Sequence, residues 1–491
     1  MHELIQALLT YGKAHLQLSE EEVPFAQNQL SARLQFTFDK NLDFSNSKPH
    51  TLSSLKDLFH QSLSKVVDPQ SLAFENTWID CLSIITPASG LFQKQFWEFY
   101  QKSPFEATQW WHTLQIHNDY IKASLTQQNV TFRHPIGVHE IECTINLAKP
   151  EKRNEDIAKL VAQPKVSTYP ACVICRENLG FAGSATQPSK TNMRIIDLKL
   201  AKHDWFMQYS PYAYFPFHLI AVDRIHRPME ISAYSIGRLF DFLLLFPHFF
   251  IGSNSDLPIV GGSILNHEHF QGGHYAMPLF TAPVDHRIQS PWKDVTIDRL
   301  QWFNNVIRFQ STNRIMIEQA VNHLQSFWRQ YSDESVDLIA KTNAQHNTLT
   351  IITRLINKQF IAYVVLRNNR VNDAYPQGIF HAHPEYHGIK KEGIGLIESL
   401  GLMVLPARLK REFETLKEAA KTATKCPQDM AYHQPLFDLL KTTTFAQYDS
   451  VIEQYACSVS ASILENTAIF KHSDQGKRAF KRFVSAWFSN N

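Results

Sequence analysis

The stretch Gly261-Gly262-Ser263-Ile-Leu-Asn-His267-Glu268-His269-Phe-Gln271-Gly-Gly273 decides how this chain is read. In extended backbone, side chains alternate with a period of two, so His267, His269 and Gln271 share one side. Two imidazoles and a carboxamide then converge between glycine pairs that let a ligand or another backbone approach closely. Imidazole can ligate a metal, act as a base or attack as a nucleophile. Gln271 can donate an N–H to developing negative charge. Gly261, Gly262 and Ser263 offer backbone and hydroxyl donors suited to phosphate oxygens. The bland alternative is a strand face of satisfied polar groups, which is costly to pack for no purpose. Spacing alone does not choose between the two histidines.

Before this stretch, Phe217 to Val222 (FHLIAV) reads as a strand, and Ile231 to Phe246 has the length and spacing of a helix that Pro247 stops. Ile259 to Leu265 is strand-like, with Gly261-Gly262 marking a bulge or a close approach. Thr348 to Ile356 and Phe360 to Leu366 are β-rich runs around Asn357-Lys358, a hairpin signal weakened because no glycine follows the asparagine. The first 130 residues read as a mostly helical extension, with Leu4, Leu8, Leu9 and Tyr11 at helical spacing. The C-terminal hundred residues return to helix. The last helix carries Lys477, Arg478, Lys481 and Arg482, read first as a solvated face that complements the helix dipole. The expected division is 1–130, 131–285 and 286–491.

Three other clusters carry chemistry. Cys172-Val-Ile-Cys175 suits half of a tetrahedral zinc site, because thiolates at this spacing can grip one ion. A reduced core pair and a redox pair are the alternatives. His226 sits at the end of the FHLIAV strand, where it is either a ligand or a surface histidine. In Gly378-Ile-Phe-His381-Ala-His383-Pro-Glu385-Tyr-His387, alternation puts His381, His383 and Glu385 on one side, a ligand set for zinc or iron. The alternative is an exposed polar edge. A His-x-His pair thus follows a strand-like run in both the middle and the last third of the chain, a faint internal echo.

Composition bounds the rest. The 491 residues carry 48 Lys and Arg against 46 Asp and Glu, a net charge of +2. That balance argues against binding nucleic acid by phosphate neutralisation. With 44% apolar and 19% charged residues, a large core is expected. The most apolar run, Leu239 to Phe246, contains Asp241 and falls short of the roughly 20 residues a membrane span needs. No basic segment leads into an apolar one at the start, so no signal peptide is read. Six scattered cysteines point to a reduced, cytoplasmic protein.

Together these stretches resemble the galactose-1-phosphate uridylyltransferases, in the longer of that family's two sequence classes. The resemblance rests on YPACVICRENLGFAG at 169–183, QYSPYAYFPFHLIAVDRIHRPMEI at 208–231, FPHFFIGSNSDLPIVGGSILNHEHFQGG at 246–273 and GIFHAHPEYHGIKKEGIGLIESLGLMVLPARL at 378–409. IECTINLAKPEKRNEDIA at 141–158 is a weaker match. The resemblance implies an α+β, histidine-triad-like fold: an antiparallel-rich sheet with packed helices, in two related halves behind the helical extension. It implies uridylyl transfer from UDP-glucose to galactose 1-phosphate through a covalent uridylyl-histidine, in galactose catabolism, with no organic cofactor.

By the same resemblance His269 attacks phosphorus and Gln271 stabilises the phosphoryl oxygens, with phosphate contacts carried onto Gly262 and Ser263. Cys172, Cys175, His226 and His267 fall on the zinc ligands of the shorter class. His381 and His383 fall on two ligands of its second metal, zinc or iron. Arg194 and Arg367 are the candidate cations for the diphosphate. A histidine held by zinc cannot attack with the same nitrogen, so His269 would keep a free ring nitrogen and fix its tautomer on a backbone carbonyl. Glu268 departs from the shorter class, which has proline there; its carboxylate would raise the basicity of nearby imidazoles or face solvent. A homodimer is compatible with this reading. The alternatives are a dinucleoside-polyphosphate phosphorylase or hydrolase of the same superfamily, and a non-catalytic zinc-stabilised nucleotide-binding scaffold.

Overall fold

The computed structural model describes residues 1–38, 50–147, 169–184, 187–262 and 264–489. A small sheet holds β1 (Val130–Ile136), β2 (His139–Ile145) and β13 (Leu402–Leu405), with β13 parallel to β2. Among the described residues the main sheet has ten strands, all pairing antiparallel. From one edge run β3 (Ile196–Leu200), β4 (His203–Tyr209), β5 (Leu219–Asp223), β7 (His269–Gly273) and β6 (Phe250–Ser253). From the other edge run β8 (Val284–Ile288), β9 (Thr296–Leu300), β10 (Val306–Ser311), β12 (Gln359–Asn368) and β11 (Asn347–Ile356). The chain therefore traces one five-strand path twice, and the copies join where β6 pairs with β11.

Each copy places a helix between its third and fourth strands in sequence, Ser235–Leu245 in the first and Arg314–Trp328 in the second. These are the two related halves. The sheet changes from one to the other between Gly273 and Val284, so a division at 285/286 falls inside β8. Pairing of β2 with β13 also ties the 131–285 segment to the 286–491 segment.

The two faces of the sheet have separate cores. One contains Phe270 and Ala362, the two mid-sheet helices, the N-terminal helices from His2–His15 to Pro104–His117, and the last helix, Asp474–Ser489. The N-terminal extension is stitched on by aromatic contacts such as Trp111 on Tyr209, with ring centroids 4.1 Å apart. The other core contains Ile361, Tyr363 and Val365 of β12, the small sheet, and the helices Arg408–Lys421 and Tyr448–Thr467.

The expected strand at 217–222 is β5, and the hairpin is β11–β12. The helix expected over 231–246 is shorter, Ser235–Leu245. The described residues of 259–265 form no strand; among them the one sheet-like contact is a bridge from Gly261 to Ser255. The backbone turns back tightly here, with Ile259 at φ +74°, and a Cβ on Gly261 would lie 2.5 Å from the Ser255 carbonyl oxygen. Ser263 and residues 148–158 of the weaker matching stretch lie outside the described residues. Among the described residues no helix is long and apolar enough to cross a membrane.

Candidate active site and metal centre

Strand β7 positions the site. Phe270 points into the first core and stacks on Trp205, so its neighbours His269 and Gln271 point to the other face. Close pairing sets the strand's path: a Cβ on Gly272 would lie 2.1 Å from the Phe250 carbonyl oxygen of β6, so only glycine fits. Just before β7, the Glu268 N–H donates to the Arg227 carbonyl and the Asp223 N–H to the Glu268 carbonyl. These bonds hold the loop carrying His226 against the segment carrying His267.

The structure gathers Cys172, Cys175, His226 and His267, whose ligand atoms all lie within 4.8 Å of one another. Cys172 Sγ is 3.3 Å from both Cys175 Sγ and His267 Nδ1, and Cys175 Sγ is 3.1 Å from His226 Nδ1. The thiols are presented by a turn whose carbonyls at Cys172 and Cys175 both accept from Asn178 Nδ2 at 2.8 Å. His267 Nε2 donates to the Asp223 carbonyl at 2.8 Å, which leaves Nδ1 to face the sulfurs. Burial pushes the Cys172 thiol up, but hydrogen bonds from His267, the Ile174 N–H and Cys175 outweigh it and leave it lowered. Two sulfurs and two imidazole nitrogens at these distances fit a tetrahedral metal site.

His269 is 3% exposed, and its Nδ1 donates to the His267 carbonyl at 2.8 Å. Its Nε2 has no protein partner among the described residues. Burial lowers the ring's pKa to about 4, so the imidazole is neutral. Gln271, on the same strand side, lines a cavity of about 540 Å³ with Tyr214, Asn254, Gly262, His381 and Lys390. Gly262 lets the wall come close to Asn254, whose Nδ2 would lie 2.9 Å from a Cβ at this position and would have to move aside. Buried beside Gln271, His218 stacks on Tyr214 at 5.0 Å, and burial lowers its pKa to about 4.

Several expected residues stand elsewhere. Glu268 neither faces solvent nor approaches the imidazoles. Alternation turns it to the opposite side, where Arg238 of the Ser235–Leu245 helix reaches it at 2.7 Å and Arg227 at 3.0 Å. Arg194 is buried beneath the N-terminal helices, donating to the Pro87, Thr191 and Met193 carbonyls, and does not line the cavity. Arg367 lies behind the cavity wall, where it donates to the Ile394 carbonyl at 2.7 Å. Its buried charge adds to desolvation in lowering His381 to about 4.

His381 and His383 are not brought into a metal-holding group among the described residues. The chain leaves extended geometry, and a short 3₁₀ turn at Pro384–Tyr386 follows. His383 stacks on Tyr375 at 4.1 Å and its Nε2 meets the Ile379 carbonyl at 3.0 Å, while His381 faces the cavity. The echo between the two His-x-His pairs therefore has no counterpart in the duplicated sheet, because the second pair follows β12 as irregular backbone. Lys390 and Glu398, 3.2 Å apart in the cavity wall, were missed. Their available signal was the glycine-flanked Lys390-Lys391-Glu392 run.

Comparison with known proteins bears on this geometry. Residues 63–228 match the family model described as galactose-1-phosphate uridyl transferase, N-terminal domain. A galactose-1-phosphate uridylyltransferase of Staphylococcus saprophyticus is 36% identical, covering 98% of this chain and 98% of its own. One from Enterococcus faecalis is 40% identical over 85% of this chain and 84% of its own. Among solved structures, yeast Ap4A phosphorylase Apa2 shares 11% identity over 62% of this chain and 89% of its own, with a TM-score of 0.33.

Proposed function

The chain belongs to the galactose-1-phosphate uridylyltransferase family, and from that premise we propose that it moves a uridylyl group from UDP-glucose to galactose 1-phosphate through a covalent uridylyl-His269. The observation that carries this assignment is the Nδ1 hydrogen bond of His269 to the His267 carbonyl, which fixes the tautomer with Nε2 unprotonated. Nε2 attacks the α-phosphorus of UDP-glucose; an N–P bond forms as the bond to the bridging oxygen breaks. Glucose 1-phosphate leaves with the electron pair. The imidazole gains positive charge as it bonds phosphorus, and the Nδ1–H···O=C bond strengthens with it. A phosphate oxygen of galactose 1-phosphate then displaces the histidine, giving UDP-galactose and restoring neutral His269. The acceptor is already ionised, so no strong general base is needed.

Gln271 supplies N–H donors to the non-bridging oxygens and Lys391 in the same cavity wall supplies positive charge, whereas Lys390 is taken up by Glu398 and the Val404 carbonyl. Transfer of this kind depends mainly on placement and electrostatics. Cys172, Cys175, His226 and His267 would hold zinc. Held by these four residues, the ion would tie the 172–175 turn, the 226 loop and the start of β7 together and so help orient His269, with no part in the transfer itself. The donor set of two thiolates and two imidazoles supports zinc over harder ions. Free thiols at a metal site also accord with a reducing, cytoplasmic setting.

The test uses labelled UDP-glucose and no acceptor. One equivalent of glucose 1-phosphate per chain should be released while acid-labile uridylyl label stays on the protein. Continuous UMP release without galactose 1-phosphate would overturn the transferase reading in favour of a hydrolase. Metal analysis of the same preparation should give one zinc per chain; its absence would overturn the zinc assignment alone.

A further inference from the structure

The last helix, Asp474–Ser489, does more than present a solvated cationic face. Its Lys477, Phe480 and Lys481 close a second cavity, about 490 Å³, against the edge strands β8 and β9. By strand order this cavity lies five strands from β7, on the order of 24 Å at ordinary strand spacing.

Its charge is unusual. Arg299 of β9 is only 8% exposed, with its guanidinium 4.2 Å from the Phe480 ring centre and its Nε 3.3 Å from Asp285 Oδ2. Lys477 and Lys481 are one helical turn apart on the same wall, and neither has an ion-pair partner among the described residues. Like charges at that spacing disfavour the helix. By contrast, Arg482 beside them is paired with Asp333 at 2.8 Å. Against three permanent cations stands one carboxylate, Asp285, which leaves the lining at +2. His472 adds a ring held by the Phe303 carbonyl at 3.2 Å, and His286 adds a second imidazole.

We propose that this cavity binds a phosphomonoester, either a sugar phosphate or a nucleoside monophosphate, at a site separate from the His269 cavity. A phosphomonoester carries about −1.5 to −2 at neutral pH, which complements the lining charge. The guanidinium fork suits its oxygens, and the ammonium groups act as point charges. The volume lies within the usual range of about 300–1,000 Å³ for small-molecule pockets.

Equilibrium dialysis of the full-length protein with labelled galactose 1-phosphate, and separately with labelled UMP, tests the proposal. At least one of the two should show two sites per chain, and the tighter ligand at the second site identifies its source. In the Lys477→Gln/Lys481→Gln variant the second site should weaken at least tenfold, while uridylyl turnover stays as in the wild type. The Lys477→Arg/Lys481→Arg variant, which keeps both charges, should retain it. One site per chain for both ligands, or a second site indifferent to the glutamine substitutions, would overturn the proposal.

Discussion

Strands β7 and β12 occupy the same position in the two copies of the five-strand path, yet they present opposite chemistry to one face of the sheet. On that face β12 buries Ile361, Tyr363 and Val365 in the second core. The equivalent strand β7 offers His269 and Gln271 there, and a cavity opens beside Gln271. The apolar copy runs ten residues, whereas the copy carrying the site runs five and ends in two glycines. Building a reactive strand costs regular, apolar pairing, and the fold offsets that loss with the second half. A duplicated fold can therefore assign chemistry to one copy and packing to the other.

The largest expected effect comes from removing the group that distinguishes the strands. His269→Ala should lower kcat by at least about 10⁴-fold, as loss of a covalent nucleophile does. The stoichiometric glucose 1-phosphate burst and the acid-labile label should vanish with it, measured by quench and acid precipitation. Label surviving in this variant would erase the distinction drawn between β7 and β12.

Next comes the residue between the two histidines. Glu268 accepts from Arg238 and Arg227 while nearly fully buried, and burial raises its pKa despite both arginines. Glu268→Ala would strand the buried Arg238 guanidinium, while Arg227 keeps its ion pair with Asp223, and should destabilise the fold by about 3–5 kcal/mol. Denaturant unfolding measures this, and kcat per folded molecule should fall far less than in His269→Ala. A stable but inactive Glu268→Ala would mean that the carboxylate acts on the imidazoles after all.

Gln271→Ala should cost about 2.7–4 kcal/mol of transition-state stabilisation, the loss expected for one preorganised donor. The change should appear in kcat more than in KM, because the donor matters most when charge develops. Near-normal turnover would reduce Gln271 to a packing residue of the cavity wall.

The His-x-His-x-Gln run was legible because strand alternation fixes relative orientation within three or four residues, and the CxxC turn was legible for the same local reason. What escaped depended on partners distant in sequence. Glu268 could not be placed without knowing that Arg238, thirty residues earlier, lies over it. Arg194 and Arg367 qualify by charge alone, and both are absorbed by backbone carbonyls that sequence does not reveal. His381 and His383 carry the alternation of a strand, but the glycine and proline around them break the backbone that alternation requires. The duplication shows itself in strand order and helix placement, which depend on pairings between segments far apart in sequence.

The smallest predicted effect concerns the second copy by itself. The β11–β12 hairpin turns through Asn357 and Lys358, which take φ of +50° and +67°. Both central residues are thus left-handed, the geometry of a two-residue turn that favours Asn-Gly. Lys358 bears the steric cost of its Cβ there, roughly 1–2 kcal/mol in the left-handed region. Glycine removes that cost but adds freedom to the unfolded chain, so Lys358→Gly should stabilise the protein by a net of about 0.5–1 kcal/mol. Because this turn lies at the end of β12 remote from Arg367 and the cavity wall, uridylyl turnover should not change while the denaturation midpoint rises. If turnover moved as well, the second copy would be coupled to the chemistry of the first, and the division of labour between β7 and β12 would have to be redrawn.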